Sequence, residues 1–275
     1  MSLARSQMLL ALSLLLAGSA GCKRIHSLKA HRTSTAPRQL APLKVAHSQQ
    51  QLELEQFESS TVFVPVGTRF ARPVVIAMHG QSDSPAANCN AWSTITESSY
   101  FVLCPALRRK ASASDKPTEA CAQWECAADE LRAALVVLRK QFGPYIAPKH
   151  VILAGYERGA AWAVPIAQQD PNVFSIVWLI DGGLGAWSSA LSTSYVDRGG
   201  KLLGVVCTNP GCQGDLTRVA TSAHSAGLPV AEYHAERAER NFDAALATAL
   251  KSTWETARPN RWPWVVPGTR SHAKN

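Results

Sequence analysis

Val151-Ile152-Leu153-Ala154-Gly155-Tyr156-Glu157-Arg158-Gly159-Ala160-Ala161 is the stretch whose reading decides the fold. It opens as an unbroken apolar run, the pattern of a strand covered on both faces of a parallel sheet. Gly155 and Gly159 then bracket three residues, and small residues follow. A chain that leaves a strand and enters a helix within so few residues needs positions without a Cβ at the shoulders of the turn. The spacing therefore predicts a strand at 150–154 and a helix from 155 to about 169. The same rhythm extends outward. Residues 61–66, 73–78 and 100–104 read as strands upstream. Residues 119–142 read as a helix, with Leu131, Leu135, Leu138 and Phe142 at spacings of three and four before Gly143-Pro144. Downstream, 174–180, 201–206 and 229–234 read as strands, with helices at 215–226 and 243–256. Strands alternating with helices predict an α/β fold built on a doubly wound, mostly parallel sheet.

A second junction, Val74-Val75-Ile76-Ala77-Met78-His79-Gly80-Gln81, ends a buried run in His-Gly. The two junctions, in this order and separation, resemble the α/β-hydrolase fold, particularly its compact esterase and dienelactone-hydrolase-like members. The resemblance covers roughly residues 60–257. It implies a nucleophile at the centre of the Gly155–Gly159 turn, held on a sharp elbow, and an oxyanion hole formed partly by the loop at His79, Gly80 and Gln81 and by Arg158. It also implies an acid after a late strand and a histidine base after the last one.

The residues at these positions depart from that chemistry. Glu157 stands at the nucleophile position, where the family has serine or, in some branches, aspartate. Arg240 stands at the base position with Asn241 beside it, and neither accepts a proton at neutral pH. Asp181 occupies the place some relatives use for the acid, whereas Cys207-Thr208-Asn209-Pro210-Gly211-Cys212 supplies no carboxylate before Asp215. His79 and His234 are the histidines expected near the cleft. His79 either helps shape the oxyanion loop or braces it. Glu157 and Arg240 are expected to form an ion pair that plugs the vacated site. The alternative is a polar pocket in which Arg158 or Arg240 recognises a carboxylate or phosphate.

The N-terminus reads as an export address. Residues 1–7 are polar with Arg5, 8–16 are apolar, and 17–21 are small, so 1–21 form a signal peptide too short to span a bilayer. Ala20-Gly21-Cys22 resembles the end of a bacterial lipobox and implies a lipidated Cys22. Ser19 departs from the usual aliphatic residue, and ordinary cleavage leaving a thiol is the alternative. Residues 22–58 then form a basic flexible tether, 59–257 the α/β-hydrolase-like domain and 258–275 a tail. The remaining cysteines, Cys89, Cys104, Cys121, Cys126, Cys207 and Cys212, are even in number, as an exported chain with disulfides requires. Six cysteines allow about 15 connectivities; the simplest joins Cys89–Cys104, Cys121–Cys126 and Cys207–Cys212. Clustered histidines for a zinc site are missing, so no metal and no cofactor are expected.

Composition narrows the function. A chain of 275 residues with 46% hydrophobic and 17% charged residues buries a real core, which excludes a disordered chain or a disulfide miniprotein. The net charge of +8 invites a nucleic-acid reading, but residues 1–50 hold seven Lys and Arg and no Asp or Glu. That leaves 21 basic against 20 acidic residues in the rest, so the basicity suits an anionic membrane face and not a nucleic-acid groove. The expected partners are therefore a membrane, through the anchor and tether, and a small-molecule or glycan ligand in the cleft. Eight tryptophans stand out: Trp162, Trp178 and Trp254 fall on buried elements, while Trp187, Trp262 and Trp264 either stack on a ligand or fold back on the domain. The expectation is an exported, lipid-anchored, non-catalytic binding or structural module of the bacterial cell envelope. The alternative is a serine-independent or esterase-like hydrolase that uses Glu157 in an unusual role.

Overall fold

A computed structural model describes residues 37–81, 83–111, 119–235, 242–260 and 264–265. The strands are β1 (Gln49–Leu52), β2 (Ser60–Phe63), β3 (Arg72–Met78), β4 (Phe101–Cys104), β5 (Arg108–Arg109), β6 (Glu119–Ala120), β7 (Ile146–Tyr156), β8 (Ile176–Ile180), β9 (Leu202–Cys207) and β10 (Val230–His234). The α-helices are α1 (Pro85–Ile95), α2 (Trp124–Phe142), α3 (Arg158–Gln169), α4 (Ser189–Asp197), α5 (Gln213–Ser225) and α6 (Ala244–Ala257). Eight strands make one sheet in the order β1-β2-β4-β3-β7-β8-β9-β10. The β1–β2 and β2–β4 pairs are antiparallel, and every pair from β4 to β10 is parallel. The α/β fold with its mostly parallel sheet is as the strand–helix rhythm predicts.

Alternation along the central strands feeds two cores. Val74, Ile76 and Met78 of β3 join Val151 and Leu153 of β7 against α2, α3 and α5. Val75 and Ala77 join Ile152, Ala154 and Trp178 against α1 and α6 on the other face. In α2 the predicted stripe of Leu131, Leu135, Leu138 and Phe142 is buried. Ser84, Ser188 and Asp243 cap α1, α4 and α6 by accepting from backbone N–H groups of the first turns.

Several boundaries differ from the sequence reading. Residues 37–58, assigned to the tether, belong to the folded unit that begins at Pro37, and Leu43, Leu52, Leu54 and Phe57 are buried in the core. Residues 119–120 pair with 108–109 as a short ribbon, so α2 starts only at Trp124. Helix α1 goes unread in the sequence because its buried face includes Asn88 and Ser93, which interrupt the apolar period. Helix α4 also goes unread, because it lies in a Gly/Ser-rich stretch, 182–200. Trp187 beside it is fully buried against Tyr195 and is core, so it offers no stacking surface to a ligand.

In the tail, the described Trp264 lies against the domain. Trp264 packs edge-on against Tyr100 and Trp254, and its carbonyl accepts from the Tyr100 hydroxyl at 2.7 Å. Trp262 and the signal-peptide and Cys22 assignments lie outside the described residues. The disulfides are Cys89–Cys104, Cys121–Cys126 and Cys207–Cys212, with Cα separations of 5.8, 5.5 and 5.8 Å, the simplest connectivity. No described helix is long and apolar enough to cross a membrane.

One buried carboxyl shapes the ground beside the site. Glu130 on α2 is fully buried and accepts from the N–H groups of Ala106 at 2.7 Å and Arg108 at 3.2 Å. Burial pushes its carboxyl up to about 7, against the pull of these backbone hydrogen bonds. It thereby holds the loop after β4, where Leu107 adopts a positive φ of 56° and Ala106 presents its carbonyl to His79.

Candidate functional site

The carboxyl edge of the parallel strands gathers the residues singled out in the sequence. Strand β7 runs through Gly155 and Tyr156, and Glu157 turns the chain into α3 with φ 47° and ψ −111°. For a residue other than glycine this is a sparsely populated, strained conformation. It persists because close packing fixes the backbone on several sides. A Cβ on Gly155 would strike the backbone of Gly159 and Ala160, and one on Gly159 would strike the carbonyl of Met78 at the end of β3. Gly182 is pressed against the Glu157 carbonyl in the same way, and the Glu157 N–H donates to Ile180 O at 2.9 Å. The Gly-x-x-x-Gly spacing is thus a packing requirement, and Glu157 sits at the tip of the elbow.

Its carboxylate turns toward the loop after β3. Glu157 Oε2 lies so close to Gly80 that a Cβ there would stand 2.6 Å from it. Among the described residues the carboxylate has neither a hydrogen bond nor an ion pair. Arg240, its expected partner, lies outside the described residues. Arg158 follows the elbow but lays its guanidinium over the Trp162 ring at 4.8 Å, with Nε buried and without a hydrogen-bond partner. Gln81 is exposed at the end of the loop.

His79 is buried, and both ring nitrogens face backbone carbonyls: Nδ1 lies 2.7 Å from Gly80 O and Nε2 lies 3.4 Å from Ala106 O. Set between these two carbonyls, the buried ring braces the loops after β3 and β4 against each other. His234 is exposed at the end of β10, in register with Cys207.

Asp181 follows β8 with φ 53° and is committed to the neighbouring loop. Thr208 donates to it twice, from its N–H to Oδ1 at 2.6 Å and from its hydroxyl to Oδ2 at 2.5 Å. The Cys207–Cys212 disulfide brackets that threonine, with Cys212 Sγ 3.9 Å from Asp181 Oδ1. Asp215, one turn into α5, pairs with Arg218 at 3.0 Å.

Two residues of this region have no signal in the sequence that would single them out. Thr208 is one, because its role appears only when β8 and β9 lie side by side. Asp83 is the other: it is half-buried, its Oδ2 has no hydrogen-bond partner, and burial raises its carboxyl above the ordinary value while His79 opposes the shift. Among the described residues no group of three His, Cys, Asp or Glu could hold a metal ion.

The strand order, the antiparallel second strand and the elbow after β7 define the class: the chain adopts the α/β-hydrolase fold. No protein-family model and no curated protein matches the sequence. Solved structures do match. S-formylglutathione hydrolase from Staphylococcus aureus is similar over 78% of this chain and 97% of its own, at 12% identity and a TM-score of 0.52. A Thermus thermophilus protein is similar over 76% and 98%, at 14% identity and a TM-score of 0.52. Est1E from Butyrivibrio proteoclasticus is similar over 76% and 97%, at 10% identity and a TM-score of 0.50. At such identities the likeness concerns the fold.

Proposed function

We propose that this chain is an exported, lipid-anchored α/β-hydrolase-fold protein that does not hydrolyse esters and uses the cleft around Glu157 as a binding or structural module. The observation that carries the reading is the elbow itself, which presents a carboxylate against Gly80 where the similar enzymes' fold would present a nucleophile to an oxyanion hole. An anionic group in that space repels the developing oxyanion that such a hole exists to stabilise. The neighbouring groups support the same conclusion, because His79 is turned into carbonyls and Asp181 is held by Thr208. The membrane anchor at Cys22 and the basic segment behind it rest on the sequence. A diacylglyceryl group on Cys22 in the mass of the mature N-terminus is the expected observation, and a mature chain starting elsewhere would overturn the anchor.

The second reading, hydrolysis through Glu157, is favoured by one observation, the strained φ of 47° at which the carboxylate is held. Short-chain p-nitrophenyl esters separate the two. The unmodified protein is expected to match the buffer rate. Glu157→Ser is expected to match it too, because a serine hydroxyl needs an adjacent proton acceptor to become nucleophilic. Turnover by the unmodified protein that disappears in Glu157→Gln would establish the carboxylate mechanism in place of the binding role.

A further inference from the structure

The Cys207–Cys212 disulfide is set among oxygens that a closed bridge cannot use. Cys207 ends β9 and is buried, while Cys212 is the N-cap of α5 and is half-buried. Between them, the Asn209 carbonyl lies 3.0 Å from Cys207 Sγ and 3.2 Å from Cys212 Sγ. Asp181 Oδ1 lies 3.9 Å from Cys212 Sγ. A sulfur in a disulfide has no hydrogen to give these oxygens, whereas a thiol has one. Opening the bridge therefore gives each sulfur an acceptor that is already in place.

Access to the bridge matters as much, because exchange begins with a thiolate reaching one of the sulfurs. Cys89–Cys104 has acceptors too, with Thr61 O 3.5 Å and Val102 O 3.6 Å from Cys89 Sγ, but both of its cysteines are fully buried. The half-buried Cys212 offers an entry that this pair lacks. The surroundings also hold their shape without the bond. Strand β9 is paired on one side with β8 and on the other with β10. In the loop, the Asn209 side chain accepts from Gly211 N–H at 3.0 Å and the Cys212 N–H donates to the Asn209 carbonyl at 3.3 Å.

We propose that Cys207–Cys212 is an exchange-active disulfide, opened by a dithiol reductant that attacks Cys212 Sγ, and that opening it resets the hydrogen bonding of Asp181 at the carboxyl edge of the sheet. The first thiolate forms a mixed disulfide with Cys212, and Cys207 leaves as a thiolate that takes up a proton. The reductant's second thiol then attacks its own sulfur in the mixed disulfide, releases Cys212 and leaves the reductant as a disulfide. Two electrons pass to the protein, and a proton ends on each cysteine. The amino end of α5 favours the departing Cys212 sulfur as a thiolate. Asp181 favours its protonated form, whose S–H competes for Oδ1 with the Thr208 N–H that donates to it at 2.6 Å. The bridge thus acts on the acid position of the cleft, whatever that cleft binds.

The test equilibrates the full-length protein at pH 6, where the released thiols are protonated, in mixtures of reduced and oxidised dithiothreitol. Alkylation and peptide mass spectrometry then read each pair. Cys207 and Cys212 are expected to open together, with the circular dichroism unchanged, at a reduced-to-oxidised ratio at least about tenfold below that needed for Cys89–Cys104. Hydrogen exchange at the Thr208 amide is expected to quicken about fivefold once the bridge is open. Asp181→Ala is expected to raise the ratio needed for Cys207–Cys212 about fivefold, as loss of one hydrogen bond does. It is expected to leave unchanged the ratio for Cys121–Cys126, which joins the end of β6 to the first turn of α2. If Asp181→Ala does not fold, Thr208 exchange in the unmodified protein decides the matter. Opening of Cys89–Cys104 at the same or a milder ratio would overturn the proposal, as would unfolding when Cys207–Cys212 opens. So would Thr208 exchange that does not change, or a ratio for Cys207–Cys212 that is the same with and without the Asp181 carboxylate.

Discussion

Gly159→Ala is expected to destabilise the protein by about 3 kcal/mol, near the upper end of overpacking penalties, which lowers the thermal midpoint by about 9 °C in a domain of this size. Helix propensity alone points the other way, since alanine in a helix is favoured over glycine by about 1 kcal/mol. The sign is decided by what surrounds the position. A Cβ there would meet the carbonyl of Met78 and would lie 2.9 Å from that of His79. Both are backbone atoms of the central strand and its exit loop, and neither can rotate away. The clash falls at the crossing of β3 and α3, so relieving it means moving the elbow off the sheet. Denaturant unfolding of the two proteins measures the difference. A change below about 1 kcal/mol, or a stabilisation, would show that α3 stands further from β3 than described here.

Trp254→Ala is expected to cost about 4 kcal/mol, in the range for deleting a buried aromatic side chain. Trp254 lies at the centre of the aromatic face between α1 and α6, with edge-on contacts to Tyr100, Trp178 and Trp264 at centroid distances of 6.0, 6.1 and 6.2 Å. It is 2% exposed, so nearly all of its surface is lost to packing. Its removal leaves three rings without a common neighbour. Trp254→Phe keeps an aromatic ring in place and is expected to lose less than half as much. Equal losses for the two substitutions would mean that the ring contacts contribute nothing beyond the indole-specific packing.

The features legible in the sequence are those set by short-range sterics and by period. The elbow is readable because Gly155 and Gly159 meet atoms only a few residues away or at the end of a strand with its own apolar run. The central strands are readable because both of their faces are covered, which leaves uninterrupted apolar runs in β3, β8 and β9. Helix α1 fails that test because Asn88 and Ser93 are buried. Residues 37–58 fail it because Leu43, Leu52, Leu54 and Phe57 follow no single period and are buried one by one against a sheet formed later in the chain. The site divides the same way. Glu157 and Asp181 can be placed from strand order, but the approach of the Glu157 carboxylate to Gly80 and the double hydrogen bond from Thr208 to Asp181 join separate strands. The burial of Arg72 is equally invisible, since an arginine opening a strand ordinarily reaches solvent.

The bond from the Tyr100 hydroxyl to the Trp264 carbonyl spans 164 residues, whereas the disulfides close loops of 15, 5 and 5. No covalent link therefore ties the late part of the chain to the early part. During synthesis from the N-terminus, Trp92 and Tyr100 emerge long before the partners that cover them. They stay uncovered until α6 and Trp264 are in place, even after the strands of the sheet are complete. For that interval the nascent chain presents a sticky aromatic face to its surroundings. Its yield of soluble product will depend on how fast residues 244–264 join the fold and on how well chaperones shield the face meanwhile.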